Sequence, residues 1–184
     1  MIHSPELIEQ ILRLPTESFD GAVFRATGAN ADPTAFSTTG GRWAAPEGFE
    51  GGFSILYTSL ERNGAVAEVA SYLSLLTPVP RKPLKVHELG VSVEKALKIV
   101  VADFPALGID PKSYDQRNYD RTQIVGAAIN FLEMDGLLAP SARWVCDNLM
   151  IFANSHSLDA RLTVERTEDV HFDEWSALTS PDPA

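Results

Sequence analysis

The stretch Gly40–Glu68 reads GGRWAAPEGFEGGFSILYTSLERNGAVAE, and the rest of the chain is expected to be arranged around it. Its glycine-rich first half carries Arg42 and Trp43, and adjacent glycines let a backbone take positive φ or approach a ligand closely. An apolar segment of strand character follows and ends near Tyr57, after which a helix carries Glu68. The stretch therefore predicts that a loop, a strand and a helix deliver different polar groups to one place.

Size and composition indicate one globular domain. The chain has 184 residues, 45% hydrophobic and 9% aromatic, which is enough to enclose a core. Residues 1–175 are expected to form this domain and residues 176–184 a flexible tail. The N-terminal segment carries Glu6 and Glu9 between its apolar residues, and no apolar run approaches the roughly 20 residues that span a bilayer. We therefore expect neither secretion nor membrane insertion.

Charge and cysteine usage restrict the partners and the compartment. The formal net charge is -10, whereas nucleic-acid binding requires a basic surface, so direct nucleic-acid binding is not expected. A basic protein partner, or a small anionic ligand held by a few local arginines, remains compatible with this charge. The single cysteine, Cys146, has no partner for an internal disulfide, which favours a reducing compartment and predicts a cytoplasmic protein.

Hydrophobic periodicity predicts alternating helices and strands. The predicted strands are Ala22–Thr27, Phe53–Thr58, Leu84–Leu89, Asn148–Ala153 and Ala160–Arg166. The predicted helices are Ser4–Leu14, a helix with Val66, Val69, Leu73 and Leu76 on one stripe, a short helix over Val93–Ala102, and Arg121–Glu133. Segment 15–21 is expected to be a turn, and 104–119 an irregular connection.

Three polar residues in this pattern each have two interpretations. Arg25 interrupts an apolar strand, so its head either reaches water or a surface carboxylate, or holds a phosphate or carboxylate in a pocket. Glu68 lies roughly 110° from the centre of its helix's apolar stripe, where it is either solvated or faces a cleft. Ser141 follows Pro140 in a turn, where it either caps the turn or presents its hydroxyl to a ligand.

Several common chemistries are not supported by the residue spacing. The four histidines are scattered, without the spacing of a zinc site, so no metal is expected. Neither a phosphate-binding loop nor a dinucleotide fingerprint is present, and no Gly-x-Ser-x-Gly elbow occurs. Cys146 has no basic neighbour that would lower its pKa, which favours an inert thiol. The remaining polar set of arginines, one tyrosine, one glutamate and one serine suits an anionic ligand that contains a sugar.

A series of short segments between about residues 20 and 160 resembles a known family. In chain order the matching segments are Val23-Phe24-Arg25, Gly41-Arg42-Trp43, Leu56-Tyr57-Thr58-Ser59, Ala65-Val66-Ala67-Glu68, Thr122-Gln123-Ile124-Val125-Gly126, Pro140-Ser141-Ala142 and Asn148 to His156. Together they resemble the RES family, named for its Arg, Glu and Ser, whose members are toxins of bacterial toxin–antitoxin pairs with an Xre-type antitoxin.

The resemblance implies a fold similar to that of ADP-ribosyltransferases, namely a single α+β domain whose mixed, mostly antiparallel sheet is flanked by helices. It also implies cleavage of NAD between nicotinamide and ribose. By analogy Glu68 stabilises the positive charge on the ribose, and Arg25 and Arg42 hold the pyrophosphate. Tyr57 then stacks near the nicotinamide, and Ser141 positions the ribose or the amide.

Three functions follow from these expectations as alternatives. The first is a toxin that drains cellular NAD with water or phosphate as the acceptor, and the second is a mono-ADP-ribosyltransferase that modifies a host protein. A non-catalytic binding module is the third. The family further implies an Xre-type antitoxin that covers the active-site cleft, and a homo-oligomer assembled through that complex is compatible with this.

Overall fold

The computed structural model describes residues 3–178. Its helices are α1 (Pro5–Leu12), α2 (Arg62–Leu73), α3 (Asp120–Phe131) and α4 (Phe172–Ala177). The strands are β1 (Thr16–Gly28), β2 (Ile55–Ser59), β3 (Leu84–Lys98), β4 (Gly136–Pro140), β5 (Asp147–Phe152) and β6 (Leu162–Val170). Short 3₁₀ turns cover Val101–Asp103 and Pro111–Ser113 in the connection before α3.

All six strands belong to one sheet, in which five of them close a ring. Strand β1 pairs with β2 and β3, β2 pairs with β5, β5 with β4, and β4 with β3, while β6 is added along the outer part of β3. Only the β3–β4 pairing is parallel among the described strands. The prediction of one α+β domain with a mixed, mostly antiparallel sheet is therefore confirmed.

Alternation along the strands separates two cores. Leu149 and Ile151 of β5 join an apolar cluster that draws its buried members from all five ring strands. Met150 and Phe152 point the opposite way and pack in a second cluster with α1, α3 and the connection after β3. A third cluster lies between the sheet and the helices α2 and α4. Because side chains alternate along a strand, the same strands serve an inner core and an outer face.

The helix predicted over Val93–Ala102 is wrong, because Val93 to Lys98 continue β3. Here β3 exchanges one neighbour for another: its earlier residues pair with β6 and its last three with β4. Between these pairings the Asp135 carboxylate accepts hydrogen bonds from the backbone N–H groups of Glu94 (2.8 Å) and Lys95 (2.7 Å). A long-range side chain therefore satisfies donors that a local pattern assigns to a helix.

Pairing with β3 also makes β1 begin earlier in the chain than predicted. Segment 15–21 was expected to be a turn, but β1 begins at Thr16, and Phe19 and Asp20 pair with Val93 and Ser92. Polar residues that look like a turn are tolerated there because this half of β1 is largely exposed.

Both ends of the chain add a helix to this sheet. The N-terminal helix prediction is confirmed, with the Ser4 hydroxyl accepting from Leu7 N at 3.2 Å and a proline in the first helical turn. Ser176, which was expected to begin the tail, belongs to α4, and residues 179–184 of the predicted tail lie outside the described residues. Within residues 3–178, none of the helices combines the length and apolarity needed to cross a bilayer.

Candidate active site

A cavity of about 570 Å³ opens on the outer face of the sheet, beside α2. The β2–β5 register pairs Tyr57 with Met150 and Ser59 with Asn148, and paired residues point to the same face of a sheet. All four therefore contribute to the cavity floor. Its remaining walls are formed by α2, the part of β1 around Arg25, the loop 37–46, the connection that precedes α3, and the segment from the end of β4 to Arg143. This volume lies within the range of small-molecule sites, about 300–1,000 Å³.

The half-buried carboxylate of Glu68 lines the cavity and is held by two donors. The Ser141 hydroxyl donates to Glu68 Oε1 at 2.9 Å, and the Asn148 amide donates to the same oxygen at 3.0 Å. Ser141 Oγ in turn accepts from the backbone N–H groups of Arg143 (3.1 Å) and Trp144 (3.2 Å). We call Glu68, Ser141 and Asn148 the Glu68 cluster.

Close packing of α2 on the sheet brings Glu68 to this position. A Cβ at Gly64 would overlap the Ser59 hydroxyl oxygen and lie 2.7 Å from Cys146 Sγ, so only glycine permits this approach. Gly64 and Glu68 are four residues apart and share a face of the helix. The turn of α2 that follows the contact therefore places the carboxylate over Asn148, the residue paired with Ser59.

The backbone of the glycine-rich loop forms hydrogen bonds with side chains of α3 and β2. Thr122 Oγ1 donates to the carbonyl of Arg42 at 2.6 Å, and Gln123 Nε2 donates to the carbonyl of Gly41 at 2.9 Å. Trp43 is only 2% exposed, and its backbone N–H donates to the Tyr57 hydroxyl at 3.1 Å. Trp43 thus anchors the loop.

A group of arginine and tyrosine side chains lies beside the Glu68 cluster, because Tyr72 follows Glu68 by one turn of α2 and both line the cavity. The Arg42 guanidinium carbon lies 4.5 Å from the ring centre of Tyr114 and 4.8 Å from that of Tyr119. The hydroxyls of Tyr119 and Tyr72 are 3.4 Å apart, and Arg117 lies over the Tyr72 ring at 4.1 Å. We call these five residues the arginine–tyrosine stack. Contacts of this kind hold guanidinium groups in place while leaving their charge unneutralised.

Arg25 joins the cavity to the segment between β1 and the glycine-rich loop. Its Nη1 donates to the carbonyl oxygens of Pro33 (2.9 Å) and Ala35 (2.7 Å). Burial lowers the pKa of Arg25, and the nearby Asp32 carboxylate opposes that shift. One nitrogen of the guanidinium thus orders the segment around Pro33, while the side chain also lines the cavity.

The cavity carries positive charge although the whole chain is acidic. Four arginines line it, namely Arg25, Arg42, Arg117 and Arg143, and Glu68 is the acidic residue of the lining. None of these four forms an ion pair with a carboxylate of residues 3–178. Since the net charge of the chain is -10, this local excess favours an anionic ligand at the cavity.

Comparison with known proteins identifies a family. The family model of the RES domain matches residues 22–173. The chain belongs to the RES domain family. No curated protein matches its sequence. Among solved structures, this RES domain is similar to the M. tuberculosis MbcT–MbcA toxin–antitoxin complex, with a TM-score of 0.79 at 20% identity, over 96% of this chain and 98% of that chain.

The five site residues predicted from the sequence converge on one place in this RES domain. Arg25, Arg42, Tyr57 and Glu68 line the cavity, and Ser141 reaches it through its bond to Glu68. The Tyr57 hydroxyl is engaged with the loop, and burial raises the pKa of Tyr57. A phenol held in this way does not act as an acid near neutral pH.

Sequence reasoning missed other residues of the RES domain's cavity. Asn148 was noted as the start of a predicted strand and of a segment that resembles the family, but it was given no role in the site, although an amide in an otherwise apolar strand is itself a signal. Arg117, Tyr72 and Tyr119 come from α2 and from a connection without periodicity, where no local pattern distinguishes them from surface residues.

Cys146 and His87 each lie against hydroxyl groups of the fold. Burial raises the pKa of Cys146, whose Sγ lies 3.2 Å from Ser59 Oγ. His87 is buried between the hydroxyls of Thr27 (2.9 Å) and Thr167 (2.8 Å). In the described part of the RES domain, no three His, Cys, Asp or Glu side chains are grouped as metal ligands.

Proposed function

We propose that this RES domain cleaves NAD at the bond between nicotinamide and ribose. The observation that carries the proposal is one hydrogen-bonded carboxylate, Glu68, in a cavity whose four lining arginines form no ion pair with a carboxylate of residues 3–178. A dinucleotide offers a matching set of groups, with two phosphates for the arginines and a sugar that becomes positively charged during cleavage.

The chemistry of cleavage assigns a role to Glu68. As the bond between ribose C1′ and the nicotinamide nitrogen breaks, its electron pair neutralises the pyridinium ring and leaves an oxocarbenium-like ribose. Glu68 accepts hydrogen bonds from the ribose hydroxyls and stabilises that charge. An acceptor then forms a bond to C1′ and releases a proton if the acceptor is water. Preorganised charged groups of this kind are worth about 10²–10³ in rate.

The other predicted residues bind the remainder of NAD. Arg42 and Arg25 face the pyrophosphate, with the guanidinium of Arg42 held between two tyrosine rings. Tyr57 supplies a ring face for the nicotinamide. Ser141 acts through Glu68 in this arrangement, because its hydroxyl already donates to the carboxylate and accepts from two backbone N–H groups.

We further propose that the chain is the toxin of a toxin–antitoxin pair and drains cellular NAD. Family membership and the likeness to a toxin in complex with its antitoxin support this proposal. An Xre-type antitoxin that covers the cavity would block NAD from entering. Such a partner would also supply the DNA contact that an acidic chain lacks.

The decisive experiment for the activity is incubation of purified protein with NAD, with and without phosphate. Chromatography should show nicotinamide together with ADP-ribose, or with a phosphorylated ADP-ribose when phosphate is the acceptor. Glu68→Ala should abolish the loss of NAD while circular dichroism shows an unchanged fold. Full turnover by folded Glu68→Ala would refute the assigned site. ADP-ribose found on proteins before bulk NAD falls would identify a protein acceptor instead.

Partner binding has a separate test. The chain is co-expressed with the product of the neighbouring reading frame, purified, and assayed for NAD loss before and after the complex is dissociated. We expect a stable complex that is inactive until it is separated. An active chain that never associates with that product would contradict the antitoxin proposal and leave the catalytic proposal intact.

A further inference from the structure

Asn148 and Ser141 donate to the same oxygen of Glu68, and this leaves the two carboxylate oxygens in different situations. Oε1 receives both bonds, at 2.9 Å from Ser141 and 3.0 Å from Asn148. Within residues 3–178, no group donates a hydrogen bond to Oε2. The cavity is lined by Glu68, so Oε2 is the oxygen available to a ligand. We propose that Asn148 is a positioning residue that fixes Glu68 Oε1, so that Oε2 faces the sugar hydroxyls.

The orientation of the Asn148 amide follows from chemistry. With the amide reversed, its carbonyl oxygen would face the carboxylate oxygen and two acceptors would repel each other. The nitrogen therefore faces Glu68, and Asn148 Oδ1 is left buried without a hydrogen-bond partner in the described chain. A buried acceptor without a partner destabilises the fold. Among residues 3–178, the Asn148 side chain therefore makes one hydrogen bond, the one to Glu68.

The position of Asn148 in the sheet makes it a rigid support. Strand β5 lies between two neighbours, so that Asn148 pairs with Ser59 of β2 on one side and with Ala139 of β4 on the other. Ser141 follows β4 directly, and its backbone N–H donates to the Cys146 carbonyl at 2.8 Å. Both donors to Oε1 are therefore attached to the same part of the sheet, whereas Glu68 comes from a helix. Preorganised supports of this kind hold a charged group in its reactive geometry.

Three variants test this role, which rests on the proposed function wherever turnover is measured. Asn148→Ala removes the donor, and Asn148→Asp keeps the shape of the side chain while placing a second carboxylate oxygen against Glu68. Loss of a hydrogen bond to a charged group should lower kcat for NAD by about 10–100-fold. The KM should change less than about threefold, because the groups that bind the phosphates are untouched. Asn148→Asp should lose at least as much activity as Asn148→Ala.

Asn130→Ala is the matched control. Asn130 also has a buried amide oxygen without a partner, but it lies in α3 outside the cavity lining. We expect turnover within about twofold of the wild type for this variant. The melting temperature of Asn148→Ala should be no lower than that of Asn130→Ala. An unchanged kcat in both Asn148 variants, or a loss confined to KM, would overturn the proposal.

A crystallographic measurement separates this inference from the proposed function. In crystals of Asn148→Ala the Glu68 carboxylate should rotate away from its wild-type orientation or become disordered, whether or not NAD is the substrate. A carboxylate unchanged in the variant would overturn the positioning role. Wild-type protein that never consumes NAD would instead overturn the proposed function, and the crystal structures would still decide the role of Asn148.

Discussion

The Glu68 cluster and the arginine–tyrosine stack contribute to one cavity and meet along α2, where Glu68 and Tyr72 are one turn apart, but different kinds of contact hold them. In the cluster, hydrogen bonds of 2.9 and 3.0 Å join a helix carboxylate to groups fixed by β4 and β5. In the stack, guanidinium groups rest on tyrosine rings at 4.1 to 4.8 Å, and several members come from the irregular connection before α3. Directional hydrogen bonds to a sheet can fix a reacting carboxylate. Stacking on loop residues suits groups that bind a ligand which must enter and leave.

This comparison predicts that substitutions in the Glu68 cluster and in the arginine–tyrosine stack change different kinetic constants. Groups that act only on the transition state affect kcat, and groups that bind substrate and transition state equally affect KM. The cluster should therefore govern kcat and the stack should govern KM.

The largest effect is expected from Glu68→Gln, which keeps the shape of the side chain and removes its charge. We expect kcat to fall by about 10²–10³-fold, because the charge on the ribose loses its counter-charge. Glu168→Gln is the control, since Glu168 is an ion-paired carboxylate of β6 outside the cavity. NAD consumption is measured for both variants, and equal activities would remove the distinction between the Glu68 cluster and the arginine–tyrosine stack.

A smaller effect, on KM, is expected from Arg42→Ala. Loss of charge-assisted bonds to phosphate should raise the KM for NAD by about 10–100-fold, while kcat changes less. Arg121→Ala provides the comparison: Arg42 donates to the Gln116 carbonyl at 3.3 Å and Arg121 to the Leu107 carbonyl at 2.6 Å, but Arg121 does not line the cavity. A loss in kcat alone for Arg42→Ala would place this arginine with the reacting groups.

Gly126→Ala tests the attachment of the loop that carries Arg42. A Cβ at Gly126 would overlap the Trp43 carbonyl oxygen, so α3 and the loop must separate. Overpacking of this kind should cost about 1–3 kcal/mol of stability, measured by chemical denaturation. At Gly28 a Cβ meets nothing within 4 Å, and Gly28→Ala should stay within about 0.5 kcal/mol of the wild type. Similar losses at both glycines would show that the loop is not held by this contact.

The smallest effect is expected from Tyr119→Phe, because its hydroxyl makes only the 3.4 Å contact with Tyr72 and the ring remains under Arg42. Turnover and KM should both stay within about threefold of the wild type. Tyr114→Phe removes a hydroxyl that donates to the Pro140 carbonyl at 2.7 Å, and should lower stability by about 0.5–1.5 kcal/mol with the same small kinetic effect. A large kinetic loss in Tyr119→Phe would show that the hydroxyl, and not the ring, contacts the ligand.

Local patterns predicted the parts of the fold that local forces build. The first helix, the strand at Tyr57 and the helix of Glu68 follow from capping, β-propensity and apolar periodicity. Strand β4 was not predicted, and the last part of β3 was predicted as a helix. Both are strands because distant partners pair with them, and the Asp135 carboxylate satisfies the donors between two such pairings.

The sequence by itself determined which kinds of side chain are available to the site. The chain is acidic, with a few locally placed arginines, one glutamate at a helix border and a serine in a turn. Family resemblance proposed which of them belong together, and the tertiary structure decided their geometry. It placed Ser141 and Asn148 on the same oxygen of Glu68 because β5 pairs with both β2 and β4. It also added Arg117, Tyr72 and Tyr119 to the cavity. Contacts between residues far apart in the chain leave no trace in local periodicity, since they form only when the sheet closes.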